Sequence, residues 1–164
     1  MTYGDISKQL FMFTIPILLS QILQQFYNIA DTAIIGRYIG TDALAAIGST
    51  GLLISVIVNF FIGLSTGVSA VIANQFGANE YDKLKKSIST LLAVSVLLGI
   101  VFTIGSLIFM KPIINILQTP KGVYSLAIDY LKICFLGITF QLLYNIGTAI
   151  LRALGNTKDP LYFL

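Results

Sequence analysis

The residue with the most distinctive chemical setting in this sequence is Asp31. No other charged residue lies between Lys8 and Asp31, and half of the residues in that stretch are Leu, Ile or Phe. An ionised carboxylate near the centre of a bilayer costs at least about 2.5 kcal/mol, so such a group neutralises, pairs with a cation or lines a wet cavity. Its oxygens suit a proton or Na⁺, a hard cation. We therefore predict that Asp31 serves cation coupling, and that its carboxylate binds a proton or Na⁺.

The alternative places Asp31 near the outer interface, solvated and paired with Arg37. Arg37 lies six residues further along the chain. Side chains on one helix face are three or four residues apart, so this pairing along a helix is awkward. The coupling role is the interpretation that the sequence favours.

Two polar stripes accompany this carboxylate. Around Asp31, polar residues recur at spacings of three, four and seven and occupy an arc of about 120° on a helix. We predict that part of this stripe lines a hydrated cavity together with a second stripe near the end of the chain. The candidate lining residues are Gln25, Asn28, Thr32, Tyr144 and Asn145. The alternative for both stripes is hydrogen bonding between helices.

Two backbone features stand out in the same regions. Pro16 removes one hydrogen bond inside the first helix and is predicted to bend it. Gly63 and Gly67 form a G-x-x-x-G spacing, which permits close helix approach and is predicted to serve packing.

The elements that carry these residues are predicted to be membrane-spanning helices. The chain has 164 residues, of which 56% are hydrophobic and 10% charged. A soluble domain has about 25% charged residues, and a soluble helix needs a charged outer face. Four charge-free windows are each long enough for the roughly 20 residues of a membrane span. The predicted helices cover residues 10–35, 44–74, 87–110 and 127–154, in an all-α integral membrane fold.

Orientation follows from the basic residues between the spans. A cytoplasmic N-terminus places more of them inside than outside. The inside set is Lys8, Lys83, Lys85, Lys86, Arg152 and Lys158. The segment from Lys111 to Ser125 contains Pro112, Pro120 and Gly122 and is predicted to be a loop. After Pro160 the residues turn apolar again, which we interpret as the start of a fifth span in a chain that is part of a longer protein.

Several function classes are disfavoured by what the sequence lacks. It has no histidine, one cysteine (Cys134) and no pattern typical of a catalytic triad or a phosphate loop. We therefore expect neither an enzyme nor a cofactor. The net charge is +3, and the cations lie beside apolar spans, so we expect membrane lipid and no nucleic acid as a partner.

Short motifs along the whole chain resemble those of the multidrug and toxic compound extrusion (MATE) family. The first helix carries Gln24-Gln25-Phe26-Tyr27-Asn28 followed by Asp31, and an outer turn carries Gly36-Arg37 and Gly40. Gln75-x-Gly77-Ala78 and Tyr130-Leu131-Lys132-Ile133 resemble the end of the second helix and the start of the fourth. Arg152-x-x-Gly155-x-Thr157-Lys158-x-Pro160 resembles the turn into the fifth.

The resemblance implies a parent transporter of twelve helices in two lobes, which exports organic cations in exchange for Na⁺ or H⁺ and rocks about a central site. It implies that Asp31 is the first-helix carboxylate of cation coupling, that Pro16 is the bending proline and that Asn145 belongs to a nearby polar cluster. The partners would be small organic cations and the missing remainder of the transporter, in the plasma or inner membrane. The alternatives are a flippase for lipid-linked sugars and a small structural membrane protein.

Overall fold

A computed structural model describes residues 6–38, 40–117 and 122–162, and every regular element in these ranges is helical. The helices are α1 (Ile6–Tyr38), α2 (Thr41–Gly77), α3 (Tyr81–Ile116), α4 (Tyr124–Leu136), α5 (Ile138–Ala153) and α6 (Lys158–Tyr162). The helices α1, α2 and α3 are each long and apolar enough to cross a membrane. The pair α4 and α5 makes a fourth such span if it is counted as one bent helix.

The bend between α4 and α5 is a feature that the sequence did not predict. The two helices meet at Gly137 with an angle of 44° between them, where one straight helix over 127–154 was expected. The Gly137 N–H donates to the carbonyls of both Ile133, at 3.2 Å, and Cys134, at 3.1 Å. An N–H that donates to two carbonyls is typical of a helix end. The regular series of backbone hydrogen bonds therefore ends at Gly137 and begins again in α5.

The helix α3 extends further than its charge-free window. It continues through Lys111 and Pro112 to Ile116, so the predicted loop from Lys111 is wrong for its first six residues, 111–116. A helix of 36 residues is about 54 Å long, whereas the hydrocarbon core is about 30 Å thick. The charge-free window therefore does not give the end of the helix, which continues past Lys111. Residues 118–121 of the predicted loop lie outside the described residues.

Helices α2 to α5 pack around one apolar core, which we call the four-helix core. Its fully buried side chains include Phe61, Ile72, Ile114, Leu131, Phe135, Leu142 and Ile146. Phe61 of α2 meets Phe102 of α3 edge to face, with ring centroids 5.6 Å apart at 86°. This geometry is favourable for aromatic rings.

The closest helix approach lies between α3 and α5. A Cβ atom placed on Gly99 would lie 2.9 Å from Cα of Thr139, so only glycine fits there. Beside it, the hydroxyls of Thr103 and Thr139 lie 3.1 Å apart and share a hydrogen bond. At Gly63 and Gly67 an added Cβ would meet nothing within 4 Å, so the predicted close approach at the G-x-x-x-G is wrong for the described part of the chain.

The helix α1 lies largely outside this packing. Only 6% of its most apolar window is buried, and it packs against α2 and α6. It runs as one helix through Pro16, which is buried. The Ser20 hydroxyl donates to the Pro16 carbonyl at 2.9 Å. One side of α1 thus faces the rest of the chain, and the remainder is open.

Candidate functional site

A polar cavity lies where α1, α2 and α5 face one another. Its volume is about 310 Å³, and apart from Ile62 and Ala149 its lining side chains are polar. They are Ser20, Gln21, Gln24, Ser65, Thr66, Ser69, Tyr144, Asn145, Thr148 and Arg152. In a chain this apolar, such a concentration of hydroxyls, amides and a guanidinium makes the cavity the main candidate for binding.

Helix α5 positions one wall of the cavity because it is strongly two-sided. Leu142, Ile146 and Ile150 bury one face in the four-helix core. Tyr144 and Asn145 fall on the other face and line the cavity. The Asn145 side-chain amide donates to the Gln141 carbonyl at 2.8 Å, which fixes its orientation and turns its oxygen toward other partners.

The polar stripe of α1 divides between two surfaces. Gln21 and Gln24 face the cavity, whereas Gln25, Asn28 and Thr32 line a shallow groove with Ile29 and Ala33. These three polar residues are exposed, and the Thr32 hydroxyl donates to the Asn28 carbonyl at 2.8 Å. The structure thus does not bring them together with Tyr144 and Asn145. A contribution of this groove to a shared cavity stays a prediction.

Asp31 lies beside the groove and is exposed. The alternative pairing with Arg37 is not formed, since the ion pair found among the described residues joins Lys83 and Glu80 at 2.8 Å. In the same residues no group of three or more acidic, His or Cys side chains is placed to hold a metal. Asp31 is therefore an accessible carboxylate that can exchange a proton or contribute one ligand to Na⁺.

Some residues at these sites were missed from the sequence. Ser20, Ser65 and Ser69 line the cavity. A signal for the serines was present, because Ser65 and Ser69 are four residues apart and share a helix face. That these serines face the same cavity as Gln21 and Asn145 joins distant parts of the chain and needs the tertiary structure.

Comparison with known proteins assigns the chain to a family. A family model described as MatE matches residues 16–164. The chain belongs to this family, the MATE multidrug efflux transporters. It is 33% identical over 157 residues to the probable multidrug resistance protein YoeA of Bacillus subtilis, covering 96% of this chain and 34% of that protein. It is 31% identical to the probable multidrug resistance protein YpnP of the same organism, and the match covers 99% of this chain and 37% of that protein.

Solved MATE structures share the fold. A MOP superfamily transporter from Pyrococcus furiosus superposes with a TM-score of 0.90 at 26% identity, covering 97% of this chain and 35% of that one. A MATE transporter in complex with MaD3S superposes with a TM-score of 0.88 at 26% identity, and the match covers 97% of this chain and 36% of that one. The chain thus spans about a third of the length of the relatives it matches.

Proposed function

We propose that this chain acts within a secondary active multidrug exporter of the cell membrane, which exchanges organic cations for Na⁺ or H⁺. The observation that carries the proposal is Asp31, an exposed carboxylate on a span-length apolar helix of a MATE family member. A carboxylate in a membrane helix is retained at a cost, and its common roles are proton relay and ion binding. No cofactor is needed for such coupling.

The placement of Asp31 on α1 supports this role. No described residue of α1 belongs to the four-helix core, so a change of charge at Asp31 leaves the packing of that core intact. Binding a proton or Na⁺ removes the net charge of the carboxylate, and this changes how readily the α1 surface enters an apolar environment. Gln25, Asn28 and Thr32 would supply the polar surface around the ion, with Pro16 as the bending point.

The rest of the proposed assembly follows from the length of the relatives, of which this chain covers about a third. Transport by alternating access requires two repeats that move against each other. We propose that further helices, as in the longer relatives, complete the transporter and cover the open side of α1. The basic residues between the spans support a cytoplasmic N-terminus.

The test is the replacement Asp31→Asn in the full-length transporter reconstituted in vesicles with an imposed Na⁺ or H⁺ gradient. Asparagine keeps the shape and removes the titratable charge. We expect gradient-driven export of an organic cation to fall to the level of protein-free vesicles, with unchanged membrane insertion. The matched control is Asp42→Asn, an exposed carboxylate in the first turn of α2, which should export normally. Export by Asp31→Asn at the rate and ion dependence of the parent would refute the coupling role.

A further inference from the structure

We propose that the cavity between α1, α2 and α5 binds an oxyanion, a carboxylate or phosphate group, through the guanidinium of Arg152. This inference goes beyond the proposed exchange of organic cations, because it names an acidic group on the ligand of this cavity. It does not depend on Asp31, which is absent from the cavity lining.

Arg152 is the charged residue among the described lining side chains. It is half-buried in the last turn of α5, and in the described part of the chain it forms no ion pair. A guanidinium is always charged, and its planar set of donors matches the two oxygens of a carboxylate or phosphate. Since no carboxylate lines the described cavity, a bound oxyanion is the partner that this charge fits.

The polar groups of the cavity separate into donors and acceptors. The hydroxyls of Ser20, Ser65 and Thr66 donate to carbonyls of their own helices at 2.9, 2.7 and 2.9 Å, so toward the cavity these oxygens accept. Gln21 and Gln24 carry amide groups that can donate. The cavity therefore matches a ligand that has both an oxyanion and hydrogen-bond donors.

The positions of these groups along α5 set the shape of the ligand. Tyr144 and Asn145 are about two helical turns from Arg152, which corresponds to roughly 10–12 Å. With its side-chain N–H₂ bonded to Gln141, Asn145 presents its oxygen as an acceptor at the far end. The arrangement fits an elongated zwitterion or hydroxy acid, with its oxyanion on Arg152 and its donor groups deeper in the cavity.

Equilibrium binding tests the site without any ion gradient, so its failure is separate from a failure of transport coupling. Benzoate carries the carboxylate without the donor groups and so probes the Arg152 end of the cavity alone. It is titrated by calorimetry into the full-length protein in phosphatidylcholine nanodiscs. We expect Arg152→Gln to weaken benzoate binding about tenfold to a hundredfold, the usual range for a lost charge-assisted hydrogen bond. Arg152→Lys should retain part of the affinity. The control Lys158→Gln removes an exposed cation that lines a neighbouring groove, and it should bind like the parent.

A second variant keeps the test valid if Arg152→Gln does not fold. Thr66 is exposed and faces the cavity, so Thr66→Trp fills the cavity from a tolerant position and should abolish benzoate binding. Unchanged benzoate affinity in Arg152→Gln, or in folded Thr66→Trp, overturns the proposal.

The same nanodiscs distinguish a soluble carboxylate from a lipid phosphate. Benzoate binding in phosphatidylcholine discs indicates a soluble ligand. If benzoate does not bind, but added phosphatidylglycerol raises the unfolding temperature of the parent and not of Arg152→Gln, the oxyanion is a lipid headgroup. If neither effect occurs, the cavity is not an oxyanion site.

Discussion

The four-helix core and the helix α1 are both apolar but place their apolar side chains differently. In the core, Phe61 is 1% exposed and Leu142 is fully buried. On α1, Phe26 is 66% exposed and Leu10 is 62% exposed. Both regions are apolar enough to lie in a bilayer.

The difference shows that hydrophobicity does not identify the packed interior of a membrane protein. An apolar side chain is as well surrounded by lipid tails as by the side chains of a neighbouring helix. Close packing and small residues therefore decide which helices associate. The four-helix core has such contacts at Gly99 and Thr139. The sparsely packed α1 carries Asp31 and most of the polar stripe, so the residues proposed for coupling lie outside the four-helix core.

The largest difference in the free energy of unfolding is expected between alanine substitutions at two phenylalanines. Phe61→Ala removes a buried ring that contacts Phe102, and we expect a loss of about 3 kcal/mol in the free energy of unfolding, mainly from the cavity left behind. Phe26→Ala removes an exposed ring and should change this free energy by less than about 0.5 kcal/mol. Thermal and denaturant unfolding in detergent measures both. Equal losses at the two positions would contradict the division between core and α1.

A smaller effect is expected at the close approach of α3 and α5. Gly99→Ala places a methyl group against the Thr139 backbone, and overpacking of this kind costs about 2 kcal/mol. Gly105→Ala, on the same helix with open space around it, should be neutral or stabilise by up to about 1 kcal/mol because alanine favours the helix. The same unfolding measurements compare the stability of the two variants. A stable Gly99→Ala variant would show that α3 and α5 can separate freely.

The smallest effect concerns the hydroxyl pair between these helices. Thr139→Val removes the hydrogen bond to Thr103 with little change of shape, and interhelical bonds in membrane proteins average about 0.6 kcal/mol. The double mutant cycle with Thr103→Val isolates this coupling energy. Thr66→Val serves as the comparison, because its hydroxyl bonds within α2 and crosses to no other helix. A coupling energy of zero would leave the glycine contact as the basis of this interface.

The sequence by itself determined the all-α membrane class, the approximate positions of the spans and the family. The class and the spans depend on local composition, because a charge-free window of sufficient length is a span wherever it occurs. The family followed from the resemblance of short motifs along the chain. The two-sided character of α5 was also readable, since Tyr144 and Asn145 alternate with Leu142 and Ile146 at helical spacing.

Only the tertiary structure decided which polar residues share a cavity and where the helices approach closely. The stripe on α1 was one arc in sequence, but α2 and α5 enclose only the part of its length that carries Gln21 and Gln24. The bend at Gly137 and the contact at Gly99 were likewise invisible, because a glycine has the same sequence signal whether a neighbour touches it or not. Helical periodicity fixes directions around one axis, while a cavity depends on the distances and rotations between axes, which arise from packing.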